Sequence, residues 1–181
     1  MRSTHTWQRF TLATLAIAAV GAAAFAQQAR PETPVPPGDH VAFYGSPTSP
    51  ISSGVVIPPG RALLWTSGTV PPLRNKEAAA GSRERFGDTR TQATGVLDTI
   101  EEQLKKQGLS LRDVVYLRAY LVPDPANGGK LDVQGWSAAY GERFGTAGNP
   151  TKPARSTVGV SALVNPEWLI EIEAFAVFPL K

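Results

Sequence analysis

Two rhythms of apolar and polar residues run along the chain, one of period two and one near 3.6, and together they predict an alternation of strands and helices. The densest period-two signal lies near the C-terminus. In PARSTVGV (153–160), Arg155, Thr157 and Gly159 share one face; in WLIEIEAFAVF (168–178), Leu169, Glu171, Glu173, Phe175 and Val177 do. The seven residues between them, SALVNPE, carry the turn signal Asn165-Pro166 and predict a hairpin. Folded antiparallel, that hairpin sets Arg155 opposite Glu173 and Thr157 opposite Glu171. A guanidinium, a hydroxyl and two carboxylates then share one side of an otherwise apolar ribbon. Charges are seldom buried without partners, so this cluster reads as a structural ion pair, an exposed edge or a site.

Upstream, residues 55–57 and 62–66 are two short β-prone runs around Pro58-Pro59-Gly60, which predicts another hairpin. Residues 73–87 are polar and carry Arg74, Lys76, Arg83 and Arg85, a pattern expected of a solvated loop. Asp88 can cap a helix to about Gln107, with Ala93, Val96, Leu97, Ile100 and Leu104 as its apolar stripe and Gly108 as its stop. Residues 113–122 predict a strand with an apolar face (Val115, Leu117, Ala119, Leu121) and a large amphipathic one (Tyr116, Arg118, Tyr120). PDPANGG (123–129) is a flexible turn, and 131–144 a second helix with Val133, Trp136, Tyr140 and Phe144 facing inward. The predicted order ββ–α–β–α–ββ is an α+β fold, a mixed sheet with two helices on one face. Its amphipathic second face is left for another subunit to cover.

Composition changes the picture mainly at the N-terminus. Arg2 and Arg9 precede an apolar run of 14 residues, Leu12 to Phe25, and then Ala24-Phe25-Ala26. This is the layout of a cleavable secretory signal, and the run is shorter than a membrane span needs. The expected organisation is a signal peptide over 1–26, a flexible leader over 27–50 and one domain over 51–181, with export to the periplasm and cleavage after Ala26. Removing 26 of the 181 residues leaves 155 and takes away two arginines and no acid, so 16 basic side chains then face 15 acidic ones. No dense basic run survives to neutralise a phosphate backbone, so no nucleic-acid partner is expected, nor a membrane once the signal is gone. There is no Cys, and His40 is the one histidine outside the signal, in a Pro/Gly-rich stretch that predicts a surface position. That composition offers no thiol nucleophile and no ordinary zinc site, and no GxGxxG or Walker-type loop is present. Neither cofactor nor metal is expected.

Four segments together resemble the RidA/YjgF family of the chorismate-mutase-like fold. They are SPISSGV with LLWTSGTVP, the amphipathic helix followed by LSLRDVVYLRAYLV, WSAAYGERF, and PARSTVGV with IEIEAFAV. The resemblance implies a homotrimer with ligand clefts between subunits. It also implies hydrolysis of reactive enamine/imine acids such as 2-aminoacrylate to 2-keto acids and ammonia. Within it, Arg155 matches the arginine that grips the substrate carboxylate, Glu171 the glutamate that orients or activates water, and Ser67 a serine lining the cleft. Thr157 stands where the family has cysteine, Ile51 where it has tyrosine, and Ser137 where it has asparagine; Glu173 is expected to be a structural partner. Residues 73–85 and 123–130 are longer than in the compact family core. A non-catalytic binder of small carboxylates using the same clefts is the alternative reading.

Overall fold

The computed structural model describes residues 38–180, so the signal-peptide expectation and the first part of the leader, residues 27–37, lie outside the described residues. The elements are β1 (Ala42–Tyr44), β2 (Gly54–Val56), β3 (Leu63–Trp65), α1 (Thr89–Lys106), β4 (Val114–Leu121), α2 (Val133–Gly141), β5 (Ala154–Gly159) and β6 (Ile170–Val177). Strands β3, β6, β4 and β5 form a four-stranded mixed sheet in that spatial order. Strand β6 runs antiparallel to both β3 and β4, while β5 runs parallel to β4.

Helix α1 forms where its pattern predicts. The Asp88 carboxylate accepts the Thr91 amide at 2.8 Å, and Gly108 follows the helix with φ +75, a conformation that costs a glycine little. The stripe Ala93, Val96, Leu97, Ile100 and Leu104 is wholly buried. It meets Leu117, Ala119 and Leu121 of β4 and Ile170, Ile172, Ala174 and Ala176 of β6. Trp136, Tyr140 and Phe144 extend the same core from α2, whereas Val133, expected inward, is exposed. Both helices thus cover one face of the sheet, as the pattern predicts.

The pairings differ from expectation in three places. Strand β5 does not fold back on β6; it lies beside β4, with Leu117 opposite Arg155 and Ala119 opposite Thr157. The sequence β4–α2–β5 is therefore a parallel crossover unit, and β6 passes between β3 and β4 instead. Nor do the two upstream runs pair with each other: β2 pairs with β1, and β3 with β6. Strand β1 itself lies inside the stretch read as a leader, so regular structure begins before Pro50.

The two long polar loops are tied down rather than freely solvated. Arg83 grips buried Asp124 with both guanidinium nitrogens, at 2.7 and 2.8 Å. Arg85 reaches Glu167 at 2.6 Å, and Glu167 also accepts the Gly81 amide at 2.9 Å. A short 3-10 turn at Pro125–Asn127, capped by Asp124, replaces the flexible turn expected there.

Candidate functional site

Parity within the sheet decides which side chains can meet. Because β5 is parallel to β4, Arg155 and Thr157 share the face of Leu117 and Ala119, the face covered by helices. Glu171 and Glu173 stand opposite Tyr120 and Arg118, on the other face. The four polar groups expected on one side of a ribbon are thus divided between two faces. Two strand spacings, roughly 9–10 Å, also separate β6 from β5. Within one protomer Arg155 and Glu171 cannot close on one small ligand.

The first cluster surrounds Arg155. Its guanidinium carbon sits 4.6 Å from the Tyr140 ring centre and 5.2 Å from that of Trp136, and the two rings meet edge to face, with their centres 5.8 Å apart. These rings attract the cation by their quadrupoles. No carboxylate pairs with it among the described residues, and its Nη1 is buried without an acceptor. Burial lowers the Arg155 pKa from its ordinary value, which is high enough that the group stays charged, while the Tyr140 phenol is pushed up to about 12, chiefly by burial. Tyr140 donates to the Pro50 carbonyl at 3.2 Å. Lys152 holds the Pro47 and Ser49 carbonyls at 3.0 Å each, and Ser52 bridges Ala154. Those ties bring Ile51, half-buried against the core, to the start of β5. Ser137 is half-buried on α2 with its neighbour Trp136 fully buried.

The second cluster surrounds Glu171 on β6. After β3 the chain keeps pairing with β6: Thr66 bonds Ala174 and Thr69 bonds Ile172, which leaves Ser67 and Gly68 as a bulge. Gly68 lies so close to Glu171 that a Cβ there would stand 1.7 Å from the carboxylate oxygen Oε1. Only glycine leaves room for that carboxylate. Ser67 is exposed beside it. Glu173, by contrast, is engaged within its own sheet, 3.3 Å from Arg118 and 3.4 Å from the Tyr120 hydroxyl. It is a structural partner as expected, but of Arg118 and not of Arg155.

Around Glu173 the exposed face is apolar. Leu63 and Trp65 are 60% and 64% exposed, and Trp65 and Tyr116 both pack on Phe175, with ring centres 4.2 and 5.2 Å away. A pocket of about 360 Å³ lies elsewhere, between the loops joined by Arg83–Asp124 and Arg85–Glu167, and no predicted site residue lines it. Its charged groups are already paired with one another. No group of His, Asp and Glu suited to a metal occurs among the described residues. Of the residues expected at a site, Arg155 and Thr157 fall in the first cluster and Glu171 and Ser67 in the second, while Trp136 and Tyr140, the walls of the arginine's seat, were expected only as inward-facing residues. Their i, i+4 spacing on the inner face of α2 was the available signal.

A mixed sheet backed by two helices, with an arginine that has no counter-ion among the described residues at one edge and a glycine-cradled glutamate toward the other, defines a small α+β protein. The family model described as Endoribonuclease L-PSP matches residues 46–178. The chain is 30% identical to the Rid-family protein YyfB from Yersinia pestis over 76% of this chain and 98% of that one, with a TM-score of 0.56. It is 30% identical to the YjgF gene product of E. coli, covering 72% and 89% with a TM-score of 0.49. It is 26% identical to a YjgF-family protein from Mycobacterium tuberculosis, covering 77% and 100% with a TM-score of 0.46. The chain belongs to the Rid/YjgF family.

Proposed function

We propose that this protein hydrolyses reactive 2-imino acids and their enamine tautomers to 2-keto acids and ammonia, in clefts between the subunits of a cyclic homotrimer. The observation that carries the reading is the state of Arg155: a half-buried cation on two aromatic rings, one nitrogen buried without an acceptor. Leaving such a donor unsatisfied is costly, and a carboxylate supplies the two-pronged acceptor that a guanidinium fits.

The trimer reading is supported by where the two clusters lie. Arg155 and Thr157 are on edge strand β5, while Ser67, Gly68 and Glu171 lie at the β3 side of the sheet. A head-to-tail ring would set one protomer's β5 edge against the next one's β3 side, cover the exposed face of Leu63 and Trp65, and complete a cleft from both clusters. Glu171 then takes a proton from water as the water oxygen bonds to C2 of the imine, and passes that proton to the nitrogen, giving a carbinolamine. The C2–N bond then breaks as the hydroxyl proton is relayed through Glu171 to the nitrogen, so that ammonia leaves and the C2–O bond becomes the keto group. The reaction needs no cofactor. Export with cleavage after Ala26 completes the proposal, and the N-terminal mass of the mature protein tests it.

The second reading, a binder of small carboxylates without turnover, shares Arg155 and differs at Glu171. Ribonucleolytic chemistry has less support, since His40 is exposed and the residues after the signal-like segment carry nearly balanced charge. The deciding experiment supplies freshly generated 2-imino acid and measures keto acid and ammonia beside the uncatalysed rate. Accelerated release that Glu171→Gln removes supports the enzyme. Calorimetric binding of pyruvate with no acceleration leaves the binder.

A further inference from the structure

We infer that Trp136 is a positioning residue that makes the Thr157 hydroxyl an outward hydrogen-bond donor beside Arg155, so that the cleft selects carboxylates carrying an acceptor atom at C2 over plain carboxylates. The inference rests on the carboxylate grip of Arg155 and adds to it the group that reads the neighbouring carbon.

Trp136 is fully buried, and its indole N–H donates to Thr157 Oγ1 at 3.1 Å. An indole nitrogen is a donor only, so the direction of this bond is fixed. A threonine hydroxyl has one hydrogen and can accept on its lone pairs; with Oγ1 occupied as acceptor, its hydrogen turns away from the indole. Thr157 is exposed, and its hydroxyl hydrogen meets no protein acceptor among the described residues. Arg155 and Thr157 are two apart on β5 and share one face. Two uncommitted donors, a guanidinium nitrogen and a hydroxyl, therefore belong to residues two apart on one strand face, both against Trp136, with no acceptor from the protein among the described residues.

A ligand that satisfies both brings a carboxylate for the guanidinium and a second acceptor one bond further along. A 2-oxo acid offers the keto oxygen and a neutral 2-imino acid the nitrogen lone pair. A plain carboxylate of the same length leaves the hydroxyl unanswered, and sites built around a hydrogen bond reject analogues that lack the partner. On the imine, a donor at nitrogen also sits where the proton must arrive for ammonia to leave.

The test compares pyruvate with propionate by calorimetry. Wild type should bind pyruvate about 10-fold more tightly, the order expected of one hydrogen bond. Thr157→Val should bring that ratio close to one, and Thr157→Ser should retain it. Trp136→Phe keeps an aromatic wall but lets the hydroxyl rotate, so it should lower the ratio partway, whatever it does to the affinity common to both ligands through the Arg155 seat. Valine has the shape of threonine but leaves the buried indole N–H without its acceptor, so the valine variant is checked by its melting curve, and once folded it is decisive even where Trp136→Phe unfolds. A ratio unchanged in Thr157→Val, or near one in wild type with both ligands bound, overturns this inference and leaves the grip standing. Arg155→Ala should lose both ligands; if it binds both like wild type, or if wild type binds neither, the grip itself is wrong and this inference falls with it.

Discussion

Gly68→Ala separates stability from function in a way the site geometry dictates. The added methyl would lie 1.7 Å from Glu171 Oε1 and 2.7 Å from its carboxyl carbon, where ordinary contact begins near 3.4 Å. The carboxylate must therefore retreat by about 1.7 Å to restore ordinary contact. Gly68 is not among the glycines with positive φ, so alanine fits its backbone. Alanine there gains about 0.4–1 kcal/mol by restricting the unfolded chain, and pushing Glu171 off its rotamer costs about 0.5–1.5 kcal/mol. The two nearly cancel, and unfolding should shift by less than about 1 kcal/mol. Misplacing a catalytic group by about 1 Å costs on the order of 10²-fold in rate. The assay pairs thermal unfolding with ammonia release from a freshly generated imino acid. Full turnover in a folded Gly68→Ala protein would refute the role of Glu171 as the base, and marked unfolding would refute the view that only the flexible end of Glu171 has to move.

Other outcomes follow from the same contacts. Arg155→Met removes a desolvated cation that has no counter-ion, so the ligand-free protein should lose no thermal stability while calorimetric pyruvate binding disappears; a marked fall in Tm would mean the arginine has a structural partner. Asp124→Asn should cost roughly 1–2 kcal/mol, below the full buried-pair figure because Arg83 is partly exposed. Arg83 hydrogen bonding holds the Asp124 carboxyl below its usual value. Its contribution is therefore present above about pH 4 and lost as pH falls through the lower folded value. The difference between wild type and Asp124→Asn in urea titrations should shrink on acidification, and a constant difference would contradict the pairing. Trp65→Glu places a charge on the exposed face beside Phe175; light scattering should show the proposed trimer for wild type and a smaller species for the variant, and an unchanged mass would place the subunit contact elsewhere.

How much of this was legible in the sequence depended on how local the cause is. The stripe of α1 and the alternation of β6 and of β4 from Tyr116 onward are set by burial against one face, and each reads correctly from its own residues; at the start of β4 a bulge puts Val114 in the helix-side core where Val115 was expected. The partner of β5 does not. Residues 161–167 look like a hairpin loop by every local signal, yet Ile170, Ile172, Ala174 and Ala176 are all wholly buried on one face, which suits a strand flanked on both sides. Strand β6 takes that central place, and α2 carries the chain across so that β5 joins the far side of β4. That non-local choice moved Arg155 and Thr157 to the helix face. The residue types of the site were readable; their division between two faces was not.

Mixed subunits test the central claim most directly. Arg155→Ala and Glu171→Gln should each be nearly inactive as homo-oligomers. If each cleft joins Arg155 of one subunit to Glu171 of the next, random co-assembly of the two variants makes about one cleft in four intact in a closed head-to-tail ring. Co-expressed at equal levels, the variants should recover about a quarter of wild-type ammonia release. Verified mixed oligomers with no recovered activity would contradict a site shared between subunits.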